Sequence, residues 1–153
     1  MAKRVEDLPI FQRATEFCDA VIAILDRPAF HRNRRARDQI SEACDSITSN
    51  MREGFEQPTD DTFSRYLFIS KGALGEVHSR LASGQRKRYI TPNELTTHTA
   101  AGQILGKMLG GFIKYLAKSG FKDRGRYKAK NPETNEETKG AKGRKEEKEE
   151  RVG

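Results

Sequence analysis

Residues 39–54 read Gln-Ile-Ser-Glu-Ala-Cys-Asp-Ser-Ile-Thr-Ser-Asn-Met-Arg-Glu-Gly, and this stretch decides the fold. Its apolar side chains recur at intervals of four, three and four residues, at Ile40, Cys44, Ile47 and Met51. That spacing places them on one face of an α-helix, with the polar residues on the other faces. We therefore predict the second half of an amphipathic helix, which Gly54 ends by adopting a positive φ.

The same periodicity occurs in three further segments, so the sequence predicts four helices. Their expected ranges are about Leu8–Arg27, His31 or Asn33 to Glu53, Asp60–Ser83, and Thr91 to about Gly120. Pro28 blocks continuation of the first helix, Thr59 or Asp60 caps the third, and Gly84 begins its exit. The fourth begins with a capping box, Thr91-Pro92-Asn93-Glu94, which is a specific helix-start signal.

Four long helices joined by short connections predict an all-α fold, an antiparallel up-down-up-down four-helix bundle. We assign residues 1–120 to this bundle domain. Residues 121–153 are dominated by Lys, Glu, Arg, Gly and Thr, with almost no aliphatic side chains. Such a segment buries too little apolar surface to offset the entropy of ordering, so we predict a disordered, basic and acidic C-terminal tail.

Composition narrows the class of protein. The 153 residues include 29 Lys and Arg against 22 Asp and Glu, a net charge of +7. This balance favours polyanionic partners, nucleic acid before an acidic membrane, over a plain soluble basic protein. No apolar run is long enough to span a membrane, and no signal peptide is recognisable. Two cysteines, Cys18 and Cys44, lie on apolar stripes, so we predict a cytoplasmic protein without disulfides.

Two predicted helices carry more apolar side chains than one bundle can bury. A bundle helix buries about three positions in seven. Outside that stripe lie Ile10, Phe17, Ile22 and Ile24 in the first helix, and Tyr66, Phe68 and Ile69 in the third. This surplus predicts an exposed patch and therefore a homo-oligomer, although single exposed apolar residues are also ordinary.

The fourth helix has a glycine at every fourth position, at Gly102, Gly106 and Gly110. Each glycine costs about 1 kcal/mol relative to Ala in a helix interior. We expect the close approach of a neighbouring helix, from the same chain or another, to offset that cost.

Positive charge concentrates in two connections of the bundle. In the predicted topology, the first and third connections lie at the same end. The basic residues there are Arg32, Arg34, Arg35 and Arg37 after the first connection, and Arg86, Lys87 and Arg88 in the third. Because guanidinium groups bind phosphate oxygens bidentately, this cluster predicts a nucleic-acid-binding surface. Arg27 and His31 would add to it, and Tyr89 could stack on a base; the alternative is an ordinary solvated helix end.

Catalytic and metal-binding patterns are missing from the sequence. His31, His78 and His98 form no pair with metal-ligand spacing, and no phosphate-binding loop or nucleophile elbow occurs. We therefore predict that the protein is not an enzyme and needs no metal or cofactor.

Asn50 and Glu53 lie at the end of the second helix, just before Gly54. A partly buried Asn must find hydrogen-bond partners, so we expect Asn50 to bond the following connection or the third helix and to fix the turn. Contact with a ligand is the alternative for these residues.

The string Ser46-Ile47-x-Ser49-Asn50-x-x-Glu53-Gly54 resembles the signature of the four-helix-bundle proteins encoded in intervening sequences of bacterial 23S rRNA genes. Three other segments are similar to that family in the same order, namely Leu8–Ala14, Arg65–Glu76 and Met108–Leu116. The resemblance covers about residues 5–118, essentially all of the predicted bundle.

This resemblance implies a four-helix bundle that assembles as a homopentamer and associates with RNA. A related group of the same fold serves as accessory proteins of diversity-generating retroelements, which bind the reverse transcriptase and nucleic acid. The sequence departs from the family pattern at Ser41-Glu42, where a basic pair is usual, and at Thr48, where Pro is common. The missing basic pair weakens the case for RNA contact along the middle of the second helix.

Three functional hypotheses follow. The first is a non-catalytic, oligomeric bundle that binds RNA or another nucleic acid through the basic residues of the two connections. The second is a protein–protein adaptor or accessory subunit, for example of a retroelement reverse transcriptase. The third, an enzyme with an unrecognised site between subunits, ranks last.

Overall fold

The computed structural model describes residues 2–119, and the predicted disordered tail lies outside this range. The helices are α1 (Pro9–Ala23), α2 (Pro28–Arg32), α3 (Arg34–Phe55), α4 (Asp60–Arg86) and α5 (Pro92–Ser119), with 3-10 turns at Val5–Asp7 and Ile24–Asp26. Residues 2–119 contain no strand, so the all-α class is confirmed.

The four long helices form the predicted bundle. Helix α3 packs against α1 and α4, and α5 packs against α4 and α1, so each helix touches its two neighbours around a closed ring. The most extensive interface is that between α3 and α4. Because consecutive long helices are adjacent and joined by short connections, they run antiparallel.

The core follows the predicted heptad stripes. All six stripe residues of α4 are buried: Phe63, Leu67, Ser70, Leu74, Val77 and Leu81. Ser70 is the polar member, and its hydroxyl donates to the Ile47 carbonyl of α3 at 2.8 Å. This bond satisfies the hydroxyl inside the core, at the interface where α3 and α4 approach closely.

Helix α1 buries more of its surface than the sequence predicted. Ile10, Phe17 and Ile24, assigned to a surplus outside the core, are all buried. Ile22 remains exposed, at 36%. The expectation was wrong because the buried stripe is wider than about three positions in seven: α1 packs against α3 and α5, and the Phe17 ring also reaches the His78 ring of α4. Of the four apolar side chains that predicted an oligomer interface here, only Ile22 is still exposed.

The predicted role of Gly54 is also wrong. Gly54 lies inside α3, which continues to Phe55, and its φ is not positive. A Cβ built on Gly54 would lie 2.6 Å from the Tyr66 Cβ and 2.8 Å from the Phe63 Cδ2 of α4. The glycine is therefore required for close packing of two helices, whereas the sequence pattern assigned it to a turn.

Helix α4 ends three residues later than predicted, because Gly84 is a buried residue of the helix. The left-handed residue is Arg88, with φ 63°. Its N–H donates to the Gln85 carbonyl at 2.9 Å, and the Tyr89 N–H donates to the Gly84 carbonyl at 2.8 Å. These two bonds form a Schellman motif, in which an arginine occupies the position that glycine usually takes.

The glycine stripe of α5 faces α4 within the same chain. A Cβ on Gly102 would overlap the His78 imidazole, and a Cβ on Gly106 would lie 3.5 Å from the Leu74 Cδ2. A Cβ on Gly110 would lie 3.5 Å from the Lys71 Nζ. The expected close approach of a neighbouring helix is confirmed most strongly at Gly102, where the absence of a side chain leaves space for the His78 imidazole of α4.

The first connection contains a short helix that the sequence analysis missed. Pro28 ends the preceding segment as predicted, but it also occupies the first position of α2. Phe30 of this helix is fully buried and anchors the connection to the core. Asn33 then separates α2 from α3, and its side chain donates to the Ala29 carbonyl at 2.7 Å.

Candidate nucleic-acid interface

The first and third connections lie side by side, as the predicted topology requires. The Phe30 ring packs edge-to-face against Tyr89, with the ring centroids 5.7 Å apart. Both terminal guanidinium nitrogens of Arg27 donate to the Glu94 carboxylate, with Nη1 at 2.6 Å from Oε1. An apolar contact and a bidentate ion pair therefore join the two connections.

Glu94 has a second role as part of the predicted capping box, which is confirmed. The Thr91 N–H donates to Oε1 of Glu94 at 2.9 Å, and the Glu94 N–H donates to the Thr91 hydroxyl at 3.1 Å. The hydrogen bond from Arg27, followed by those from Thr91, lowers the pKa of Glu94 to about 2. The carboxylate thus caps α5 and also fixes the position of the first connection.

The seven basic residues predicted from sequence surround this junction, and we call them the basic end: Arg32, Arg34, Arg35, Arg37, Arg86, Lys87 and Arg88. Six of them are exposed, and Arg37 is half-buried. Within residues 2–119, none of the seven forms an ion pair with a carboxylate. Their charges are therefore available to an anionic partner in solution.

Three arginines of the basic end occupy positions where arginine is energetically unfavourable. Arg34 and Arg35 lie in the first turn of α3, which has no acidic residue. The positive end of the helix dipole repels cations at that position. Arg88 holds a left-handed conformation that costs an L residue about 1 kcal/mol relative to Gly. Ordinary helix stabilisation therefore does not account for these arginines.

Three residues predicted to extend the surface instead hold it together. Arg27 is committed to Glu94 and is not available to phosphate. The His31 Nε2 lies 2.9 Å from the Asp26 carbonyl, which links the ring to the preceding turn. Tyr89 is half-buried against Phe30, so its ring is part of the junction rather than a free stacking platform.

Asn50 does not bond the connection or α4, although the sequence predicted such a bond. The Asn50 amide donates to the Ser46 carbonyl at 2.8 Å and to the Ser46 hydroxyl at 3.1 Å, within α3 itself. The expectation was wrong because the carbonyl one turn earlier is the nearest acceptor. Glu53 is exposed, and its backbone carbonyl accepts a bond from the Gln57 side chain at 3.2 Å.

The opposite end of the bundle is built differently. Asp60, at the start of α4, is buried and accepts a hydrogen bond from the Ser119 hydroxyl at 2.8 Å. Thr59 caps the helix as predicted, by accepting from the Thr62 N–H at 3.2 Å. The exposed acids Glu56 and Asp61 lie nearby in sequence. This end therefore presents acidic side chains together with basic ones such as Arg52 and Arg65, whereas the basic end is dominated by arginine and lysine.

Residues 2–119 contain no group of three or more His, Cys, Asp or Glu side chains placed to hold a metal ion. No helix in this part of the chain is both long and apolar enough to cross a membrane.

The chain is similar to one family of known proteins. The family model described as 23S rRNA-intervening sequence protein matches residues 6–111. The fold is similar to a crystal structure from Bacteroides thetaiotaomicron, a protein of unknown function from the S23 ribosomal protein family, with a TM-score of 0.62. That alignment has 20% identity and covers 69% of this chain and 98% of the other. No protein with curated annotation matches.

Proposed function

Because the chain belongs to the family of 23S rRNA-intervening sequence proteins, we propose that it is a non-catalytic, oligomeric RNA-binding protein. In this proposal the basic end contacts the phosphates of a structured RNA. The supporting observation is the junction of the first and third connections. Through Arg27–Glu94 and Phe30–Tyr89 it gathers seven cations that have no carboxylate partner among the described residues into one surface.

The chemistry of the surface suits phosphate. Five of the seven residues are exposed arginines; the other two are the half-buried Arg37 and the exposed Lys87. Arginine keeps its charge at every physiological pH and presents planar donors to two phosphate oxygens. The unfavourable placement of Arg34 and Arg35 at a helix start, and of Arg88 in a left-handed conformation, also supports a role outside folding. These costs are expected where binding determines which residue is present.

Two variants separate binding from folding. Arg88→Gly removes a charge and relieves the left-handed strain, so the protein should become more stable while binding RNA more weakly. Arg34→Glu with Arg35→Glu reverses two charges and places carboxylates where the helix dipole favours them. Arg13→Gln, in an exposed position of α1, is a single-charge control.

Fluorescence anisotropy with a labelled RNA hairpin at two salt concentrations tests the proposal. Affinity should fall steeply with salt, because phosphate contacts release counterions. The double reversal should weaken binding at least tenfold, and Arg88→Gly should reduce the salt slope by about 1. Weak, salt-insensitive binding by the unmodified protein would refute the proposal, as would full binding by the double reversal.

Homo-oligomerisation, which the family resemblance gives as a pentamer, remains part of the proposal. Its support is the exposed apolar surface of α4 and α5, where Phe68, Ile69, Ile104 and Tyr115 are between 52% and 65% exposed. Large apolar side chains at this exposure commonly mark an interface. Light scattering should give a multimer, and Ile104→Asp with Tyr115→Asp should dissociate it; a monomeric unmodified protein would contradict this part.

The same exposed side chains favour a second candidate function, a protein–protein adaptor. Phe68 and Ile69 lie on α4, away from the basic end, and would suit an apolar partner. The two candidates differ in genomic setting: a position inside an rRNA gene supports the first, and a neighbouring reverse transcriptase gene supports the second.

A further inference from the structure

We infer that the groove between α4 and α5 is a second anion-binding surface, which holds the phosphates of a single-stranded segment of the bound RNA. This inference rests on the proposed function and extends it to a part of the molecule that the sequence analysis did not identify. The groove has a volume of about 740 Å³. Its walls carry Lys71 from α4 and Lys107 and Lys114 from α5.

Glycine forms much of the groove's inner surface. Gly106, Gly110 and Gly111 all line it, so helix backbone is exposed there in place of side chains. A Cβ on Gly110 would lie 3.5 Å from the Lys71 Nζ, so this ammonium group lies directly over the α5 backbone. A Cβ on Gly111 would meet nothing within 4 Å, which shows that the groove is open at this point.

The positive charge of the groove is not compensated nearby. Lys71, Lys107 and Lys114 form no ion pair within residues 2–119. Helix α5 contains no Asp or Glu after Glu94. On α4, Glu76 is engaged by Arg80 at 3.9 Å, and Asp61 is engaged by Arg65 at 3.2 Å. A concave surface lined by charge of one sign concentrates the field and attracts anions.

The lining indicates which anion fits. Gln103 is the remaining lining residue, so the groove offers lysine, glycine and an amide but no apolar side chain. Three lysines and no large apolar side chain in the lining favour a polyanion over an amphipathic protein helix, whose apolar face needs such side chains to pack against. Lysine binds phosphate as a point charge without a fixed orientation, which suits a flexible polyanion. Lys107 and Lys114 are separated by two helical turns, or about 10.5 Å, so the groove accepts a chain rather than one compact ion.

The groove also lies within reach of the basic end. Lys71 precedes Arg86 by fifteen residues on the same helix, a separation of about 22 Å along the axis. A structured RNA held at the basic end could therefore extend a single strand along α4 and α5. The groove would add affinity only for RNA that has such a strand.

The test compares a blunt RNA hairpin with the same hairpin carrying a single-stranded extension of about 16 nucleotides. The variant is Lys107→Gln with Lys114→Gln, and the control is Lys3→Gln with Arg13→Gln, which removes two charges elsewhere. All four residues are exposed, so circular dichroism should show the helices intact. On the extended RNA, the groove variant should lower the salt slope by about 1.4, and the control should change it much less.

The outcomes distinguish this inference from the proposed function. If the groove variant matches the control on the extended RNA while the reversal of Arg34 and Arg35 still weakens binding, the inference is overturned and the proposed function stands. If the unmodified protein binds neither RNA, both fail. Lysine-reactivity footprinting adds a direct measure: the extended RNA should protect Lys71, Lys107 and Lys114. Protection by poly-glutamate and not by RNA would assign the groove to an acidic protein segment and overturn the inference.

Discussion

Substituting Gly54 by Ala tests the closest approach in the fold. The new Cβ would lie 2.6 Å from the Tyr66 Cβ and 2.8 Å from the Phe63 ring. The Tyr66 Cβ is attached directly to the backbone, so α3 and α4 must separate to relieve the contact. Overpacking costs about 1–3 kcal/mol, and this contact belongs at the upper end because the Tyr66 Cβ cannot rotate away and the Phe63 ring is buried in the core.

An opposing effect has to be subtracted. Ala is favoured over Gly in a helix interior by about 1 kcal/mol. The expected net loss in the free energy of unfolding is therefore about 1–2 kcal/mol. Gly72→Ala provides a matched control, because Gly72 also lies inside a long helix and its Cβ would meet nothing within 4 Å. That substitution should stabilise the protein by up to about 1 kcal/mol.

Urea denaturation followed by circular dichroism measures both variants. The midpoint should fall for Gly54→Ala and rise for Gly72→Ala, with similar m values. The two variants make the same chemical change, so the difference between them, about 2–3 kcal/mol, isolates the contact with α4. If both variants are stabilised equally, the tight packing of α3 against α4 at Gly54 is refuted.

Three further predictions concern single side chains. The pKa of Glu94 is about 2 in the folded protein and 4.5 ordinarily, so its ionised carboxylate stabilises the fold above pH 4.5 and this contribution is lost as the pH falls toward 2. The free energy of unfolding, measured between about pH 5 and pH 2, should therefore depend less on pH in Glu94→Gln than in the unmodified protein. Burial lowers the pKa of His78, so stability should fall as the pH drops below 6.5, and His78→Leu should remove this dependence; an unchanged pH profile would contradict it. Ser70→Ala removes the bond to the Ile47 carbonyl and should cost about 1 kcal/mol in urea denaturation; a neutral result would show that this buried bond contributes nothing.

The sequence predicted the helices and their order because periodicity is a local property. The α4 stripe, the capping box at Thr91–Glu94 and the shared end of two connections all depend on residues close in sequence or on simple topology. The basic end was found in this way, although its role in binding stays a prediction.

Contacts between helices were predicted less well than the helices themselves, because they depend on residues far apart in sequence. Gly54 and Gly84 carry the same local signal for a helix end, yet both lie inside helices, and the left-handed residue is Arg88. Nothing local distinguishes a glycine that ends a helix from one that lets a neighbour approach. The burial of Ile10 and Phe17 likewise depends on how many helices surround α1.

The sequence indicated one role of Glu94, in the capping box, but not its ion pair with Arg27. Glu94 was already explained by the capping box, so its second partner carried no further signal in the sequence. The lysines of the groove are spread over 44 positions, from Lys71 to Lys114, and only the packing of α4 on α5 brings them together.

Helix α5 is secured at both of its ends by residues from elsewhere in the chain. Its first turn is held by Arg27, and Ser119, the last residue that the structure describes, donates to Asp60. The turns at a helix end normally fray first, and fraying is the usual route by which amide protons exchange with solvent. Because the turn that contains Ser119 is tethered to Asp60, deuterium uptake within residues 92–119 should begin in the middle of the helix, near its run of glycines, rather than around Ser119.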